Sequence, residues 1–200
     1  MAFTFGIASS RFDARKQLVL DEVNSIGTTF LRTDFLPEPQ RSLSRKLLKH
    51  YVDIRMEAVV QTQKLPQALI DSEALHDQLW SQLNDVATHN HDSVLLGLYV
   101  QSLNEMIDFH SKRVTVALQY RIPVPIWLAL YFVTMLTMVA TGYQFGVSGK
   151  SSLMIIMVMA LSFSAIILLI ADLDRALEGV LKVSQKPMIE LQHKFSTLKL

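Results

Sequence analysis

The sequence predicts an all-α membrane protein: a cytoplasmic helical bundle, then a C-terminal two-helix transmembrane hairpin and a short amphipathic tail. Three observations carry this prediction. Apolar residues recur at helical spacing through residues 1–121, without the alternation typical of strands. Residues 122–171 contain only one, Lys150, of the chain's 19 basic and 18 acidic residues. Basic residues flank this uncharged stretch on both sides.

The part of the chain before the uncharged stretch has the pattern of four helices. Apolar spacings of three, four and seven predict a first helix over residues 10–35 and a second over about 40–63, separated by two prolines. Asp71-Ser72-Glu73 is typical of a helix start, so a third helix is expected behind it. Asp92-Ser93 can cap a fourth helix, which we expect to extend towards Arg121.

The uncharged stretch divides into two candidate spans, at about residues 123–146 and 151–171. Each is as long as the roughly 20 apolar residues that a spanning helix needs. Trp127 and Tyr143 lie near the ends of the first span, as interfacial aromatic residues do. A short connection around Lys150 predicts an antiparallel hairpin. The predicted division is a cytoplasmic helical domain at 1–121, a hairpin at 122–171 and a cytoplasmic tail at 172–200.

Lysine and arginine positions predict the orientation of the hairpin. Lys150 is the only basic residue in the connecting loop, whereas three precede the first span and three follow the second. The positive-inside rule therefore puts residues 1–121 and the tail in the cytoplasm, with the loop outside.

Composition excludes several classes of function. A net charge of +1 gives no basic surface for nucleic acid, and the absence of cysteine removes disulfides, thiolate chemistry and cysteine zinc sites. We find no coherent catalytic set and no glycine-rich phosphate loop, so we expect neither an enzyme nor a cofactor. His89, His91 and Asp92 lack metal-ligand spacing, and we interpret them as capping and solvated residues, with no metal site predicted.

Several runs of sequence resemble one known family. They are, in chain order, the Arg15 region with DEVNSIGTTFLRTDFLP (21–37), YVDIR (51–55), QSLNEMIDFHSKR (101–113), RIPVPIW (121–127) and DLDRALEG (172–179). Together they resemble the bestrophin-like family of bacterial membrane proteins over nearly the whole chain. The resemblance implies a multi-pass protein of the bacterial inner membrane that forms a homo-oligomer, a pentamer in true bestrophins, and handles inorganic ions.

One departure from the family pattern concerns the N-terminus. Members usually carry two hydrophobic helices ahead of the Arg15 region, and Phe3-Thr-Phe-Gly6 resembles the end of the second. We expect either a shortened member or upstream helices that lie outside this sequence. In bestrophins the pore neck lies on that second helix, so no neck residue is carried over.

Two polar sets in the predicted helices are candidate functional faces. Asn24, Thr28 and Arg32 follow one another at four-residue steps, with Glu22 turned about 200° from Asn24. We expect these residues either to line an aqueous vestibule or a subunit contact, or to form a polar seam whose hydrogen bonds are made within the bundle. Thr134, Thr137 and Thr141 fall on one face of the first span and are either a pore face or an interhelix contact.

The run Asp172-Leu-Asp174-Arg175 ends the second span. A carboxylate at the edge of the hydrocarbon is costly unless water or a cation compensates it. We expect a hinge that fixes the tail beneath the membrane, with an ion-attracting vestibule ring as the alternative.

Two spans cannot enclose a water-filled path, so transport requires several subunits in the lipid bilayer. The leading hypothesis is an oligomeric ion channel or channel-like transporter. The alternative is a membrane-anchored helical scaffold or signalling partner without transport activity.

Overall fold

A computed structural model describes residues 2–88, 93–149, 152–175 and 179–198. These residues are almost entirely helical and contain no strand, which confirms the predicted all-α class with a C-terminal apolar hairpin. The seven α-helices are α1 (Ala2–Arg32), α2 (Gln40–Val60), α3 (Leu65–Ala87), α4 (Val94–Leu118), α5 (Val124–Ser148), α6 (Leu153–Asp174) and α7 (Lys186–Thr197).

Two compact units divide the chain. The hairpin unit comprises Met1–Arg15 and Ala117–Val183, and the bundle unit comprises Lys16–Val116 and Ser184–Leu200. Helix α1 contributes its first half to the hairpin unit and its second half to the bundle unit.

The core of the bundle unit is built from apolar residues of α1, α2, α3, α4 and α7. The stripe on α3 predicted from sequence is buried there, including Leu79 and Leu83. The predicted start of α3 at Asp71-Ser72-Glu73 is wrong, because the helix begins at Leu65 with a proline in its first turn. Ser72 is buried mid-helix, where its hydroxyl donates to the Ala68 carbonyl at 2.6 Å instead of capping the helix.

Helix α7 belongs to the same core, although the sequence indicated only a short amphipathic tail. Met188, Leu191 and Phe195 are buried along one face of it. The Phe195 ring stacks on Phe30 of α1 with centroids 4.2 Å apart. Gly27 of α1 faces Leu191 of α7, and a Cβ on it would lie 3.8 Å from that leucine, an ordinary packing distance.

The hairpin unit contains α5, α6 and the start of α1. Contacts at both ends of α5 and α6 show that the two helices run antiparallel: Ile122 meets Asp174, and Thr141 meets Met159. Gly149 ends α5 in the left-handed conformation that favours glycine. Both helices are long and apolar enough to cross a membrane, and their side chains are nearly all exposed outside the end that packs on α1.

Helix α1 begins at Ala2 instead of the predicted Ser10. Its first turns extend because they have an apolar surface to cover. Ile7, Ala8 and Phe12 pack in one cluster with residues from the base of the hairpin, including Ile170. The start of α1 therefore depends on a contact distant in sequence.

Candidate functional site

The threonine row on α5 makes its hydrogen bonds within the helix. Thr134, Thr137 and Thr141 each donate at 2.8 Å to the carbonyl four residues earlier. The hydroxyl oxygen of Thr141 also lies 3.9 Å from the sulfur of Met159 on α6. All three residues are partly exposed, so the row can still face a neighbouring helix or a pore.

The predicted seam on α1 separates into residues with different surroundings. Asn24 is exposed and Thr28 is half-buried. Arg32 reaches across the bundle unit and donates to the Leu98 carbonyl of α4 at 2.5 Å. Glu22 faces away from Asn24, as its helical position predicts, and is fully buried.

Glu22 is the centre of a buried ionic network in the bundle unit. The Tyr51 hydroxyl donates to its Oε1 at 2.7 Å, and the Nε of Arg55 lies 3.2 Å from the same oxygen. Arg113 of α4 donates to Oε2, and Nδ1 of His110 is 3.9 Å from Oε1. One carboxylate thus connects α1 to α2 and α4.

The Tyr51 hydroxyl determines which nitrogen of His110 carries a proton. Its single proton is donated to Glu22, so the 2.9 Å contact with Nδ1 of His110 requires that nitrogen to be the donor. Arg113 extends the network by donating to the side-chain oxygen of Gln185 at 2.7 Å. Gln185 directly precedes α7, so the network also reaches the start of that helix.

His76 of α3 completes the cluster through its ring. The ring lies 5.1 Å from Tyr51 and packs edge-on against His110 at 5.0 Å. Its Nε2 is buried and has no hydrogen-bond partner within the described residues. A protonated His76 would add a positive charge near that of Arg55.

Burial and the neighbouring charges shift the pKa values of Glu22, Tyr51 and Arg55. Burial alone would raise the pKa of Glu22, but Arg55, Arg113 and the hydrogen bonds from His110 and Arg113 hold it well below its usual range. Burial, and next the Glu22 charge, raise the pKa of Tyr51 well above its usual value. Burial opposes the charged form of Arg55, but Glu22 and Tyr51 together raise the pKa of Arg55 above its usual value. Glu22 and Arg55 therefore remain charged at neutral pH.

The network holds helices of the bundle unit together. Its carboxylate is fully ionised, and each of its oxygens is engaged. Within the described residues, no group of three or more histidine, cysteine or acidic side chains is placed to hold a metal ion. Sequence reasoning singled out Glu22 but missed its partners, because Tyr51 and Arg55 lie on the same buried face of α2 as apolar Leu48 and Val52.

A second polar cluster forms the base of the hairpin unit. Asp172 accepts hydrogen bonds from the backbone N–H groups of Val180 and Leu181, both at 2.8 Å. Gly179 adopts a φ of +140° there, and a Cβ on it would lie 2.5 Å from the Asp172 carboxylate. Asp172 therefore secures the turn after α6, while Arg175 at the end of that helix is exposed.

Asp174 and two arginines of α1 complete this cluster. Asp174 accepts from the backbone N–H of Ile122 at 2.9 Å and lies 3.9 Å from Nη1 of Arg11. Arg15 donates to the Leu173 carbonyl at the C-terminal end of α6. A cation there satisfies an orphan carbonyl and offsets the negative end of the helix dipole.

Comparison with known proteins places the chain in a family. The family model of the bestrophin-like domain matches residues 1–188. The chain belongs to the bestrophin-like family. No curated protein and no solved structure matches the chain.

The bestrophin-like motifs recognised in the sequence fall into two spatial clusters. Glu22, YVDIR (51–55) and the run ending at Arg113 supply the ionic network of the bundle unit. Arg15, RIPVPIW (121–127) and DLDRALEG (172–179) supply the base of the hairpin unit. The family is in general membrane-associated and oligomeric, and it suggests a channel-like role in general terms.

Proposed function

We propose that the protein is a subunit of an oligomeric ion channel or channel-like transporter. The observation that carries the proposal is the apolar hairpin of a bestrophin-like chain, whose two long helices leave nearly all of their side chains exposed. Lipid or other subunits must cover that surface. Two helices cannot enclose a water-filled path, so a path through the bilayer requires several copies of the hairpin.

Within such an assembly, the threonine row on α5 is the candidate lining. Threonine oxygens can coordinate a partly dehydrated ion even while the hydroxyl proton is bonded to the helix backbone. Thr137 suits this role best, because Thr141 already contacts Met159 and Thr134 lies one turn from buried Leu130. The same row can instead pack against a neighbouring subunit, which is the interhelix alternative.

A membrane-anchored scaffold is the second candidate function. The observation in its favour is the bundle unit, which has its own apolar core and its own buried ionic network. Such a bundle is a suitable platform for a cytoplasmic partner. The hairpin would then serve only to hold it at the membrane.

Ion flux through the purified full-length chain in liposomes distinguishes the two. A channel subunit gives flux above that of empty vesicles and runs as a closed oligomer in native mass spectrometry. A well-assembled protein without flux contradicts the channel proposal and favours the scaffold, whereas a monomer contradicts any channel built from this chain alone.

A matched pair of variants tests the lining. Thr137→Val removes a hydroxyl from the proposed pore face and should change the flux rate or the ion preference. Ser162→Ala removes an exposed α6 hydroxyl that bonds to its own helix at the same 2.8 Å, and should leave flux unchanged. Equal flux in both variants would assign the threonine row to helix packing.

A further inference from the structure

The base of the hairpin unit carries more positive charge than its own carboxylates neutralise. Arg11, Arg15, Arg121 and Arg175 lie in or next to the contacts that join α1, α5 and α6. Within the described residues, two aspartates contact this cluster, and both also accept backbone hydrogen bonds: Asp172 from Val180 and Leu181, and Asp174 from Ile122. Among these six described side chains, the arginines outnumber the carboxylates by two.

Several guanidinium donors of this cluster are unused. Nη1 of Arg11 is itself buried and makes no hydrogen bond within the described residues; the carboxylate of Asp174 lies 3.9 Å away, and the side chain as a whole is 27% exposed. The side chains of Arg121 and Arg175 are exposed and donate no hydrogen bond within the described residues. The N–H of Ile122 donates to Asp174. Arg121 directly precedes Ile122 and Arg175 directly follows Asp174, so the two arginines are the chain neighbours of this one contact.

Along the hairpin, these arginines lie at the level expected for the lipid headgroups of a bilayer. Helices α5 and α6 are about 37 and 33 Å long at 1.5 Å per residue, slightly more than the roughly 30 Å hydrocarbon core. Trp127 stacks with Tyr131 in the first turns of α5, as aromatic residues do at the membrane interface. Arg121 and Arg175 lie just outside that aromatic pair in the direction of the polar layer.

We propose that the base of the hairpin binds the phosphate headgroup of an anionic phospholipid through Arg121 and Arg175. Guanidinium groups bind phosphate oxygens in bidentate fashion, and a net positive site favours an anionic headgroup over a zwitterionic one. Arg15 is buried on the Leu173 carbonyl and serves as a positioning residue for α6. The proposal requires the hairpin to lie in a bilayer but does not require the protein to conduct ions.

Binding of a short-chain phosphatidylglycerol to the full chain in a neutral detergent tests the proposal. The comparators are the matching short-chain phosphatidylcholine and inorganic phosphate. Wild-type protein should prefer phosphatidylglycerol over both. The double variant Arg121→Gln, Arg175→Gln changes two exposed side chains and should lose about fivefold in affinity per arginine.

A charge-matched variant provides the control. Lys46→Gln with Lys49→Gln removes two charges from α2 in the bundle unit and should keep the wild-type affinity for phosphatidylglycerol. Equal loss in this control would overturn the proposal in favour of a general charge effect. Equal affinity of wild-type protein for phosphatidylcholine would overturn it without reference to any variant. Preferential binding of inorganic phosphate would show a free-phosphate site instead.

Discussion

At the residue scale, Glu22 is the carboxylate that balances the buried cations of the ionic network. It is fully buried, and both of its oxygens face cationic partners. We expect Glu22→Gln to lower the free energy of unfolding by about 3–5 kcal/mol, because Arg55 and Arg113 would keep their charges without a counter-ion. Denaturant unfolding in detergent, followed by circular dichroism, measures the change.

Asp21 provides the control for this prediction on the same turn of α1. It is half-buried and, among the residues that the structure describes, accepts a hydrogen bond only from Gln17, one helical turn away. Asp21→Asn also removes one negative charge but should change stability by less than about 1 kcal/mol. Equal destabilisation in the two variants would mean that net charge matters and the buried network does not.

His76 gives the bundle a specific dependence on pH. Burial, and next the neighbouring His110, lower the pKa of His76 from 6.5 to about 4. Between these values the unfolded chain binds a proton at this side chain and the folded chain does not. Stability should therefore fall by about 3 kcal/mol from this residue as the pH is lowered from 6.5 to 4. Unfolding free energies of His76→Gln across this range should decline less steeply than those of wild type.

An exposed histidine on α2 serves as the reference for the pH series. His50→Gln should reproduce the wild-type decline, because His50 is exposed. If His76→Gln declines as steeply as wild type, then His76 does not supply the pH dependence.

At the element scale, α7 is the helix that sequence reasoning missed. A helix of 12 residues is barely stable alone in water. The apolar face of α7 therefore contributes to stability only when it packs against α1 and α2. The contact of Phe195 with Phe30 and of Gln192 with Asp53 at 2.7 Å fixes it there. Such pairings between distant segments leave no periodic signal in one sequence.

Truncating Phe195 tests whether α7 belongs to the core. Phe195→Ala should cost about 3–5 kcal/mol of unfolding free energy, because the ring is buried against Phe30. Ile189→Ala on the exposed face of the same helix, where that side chain is 51% exposed, should cost less than about 1 kcal/mol. Similar unfolding midpoints for the two variants would show that α7 is a peripheral tail.

At the scale of the whole molecule, the sequence predicted those features that depend on residues close together along the chain. Uncharged length predicted the hairpin of α5 and α6, and helical spacing predicted the buried stripe of α3. The ionic network escaped prediction because Glu22 and Arg113 are 91 residues apart, and only the folded register of α1 against α4 brings them together. The motifs of the family resemblance contained these residues without revealing that they meet.

The transmembrane topology is also a property of the whole molecule, and the cysteine-free chain makes it accessible to single-cysteine labelling. Six basic residues flank the spans and one lies in the loop, so Ser148→Cys at the end of α5 should react with a membrane-impermeant maleimide on intact cells. Ser81 is exposed on α3, and Ser81→Cys should react only after lysis. The reverse pattern would invert the topology. Labelling of both sites only after lysis would mean that the hairpin does not cross the bilayer, and a segment that does not cross cannot line an ion path.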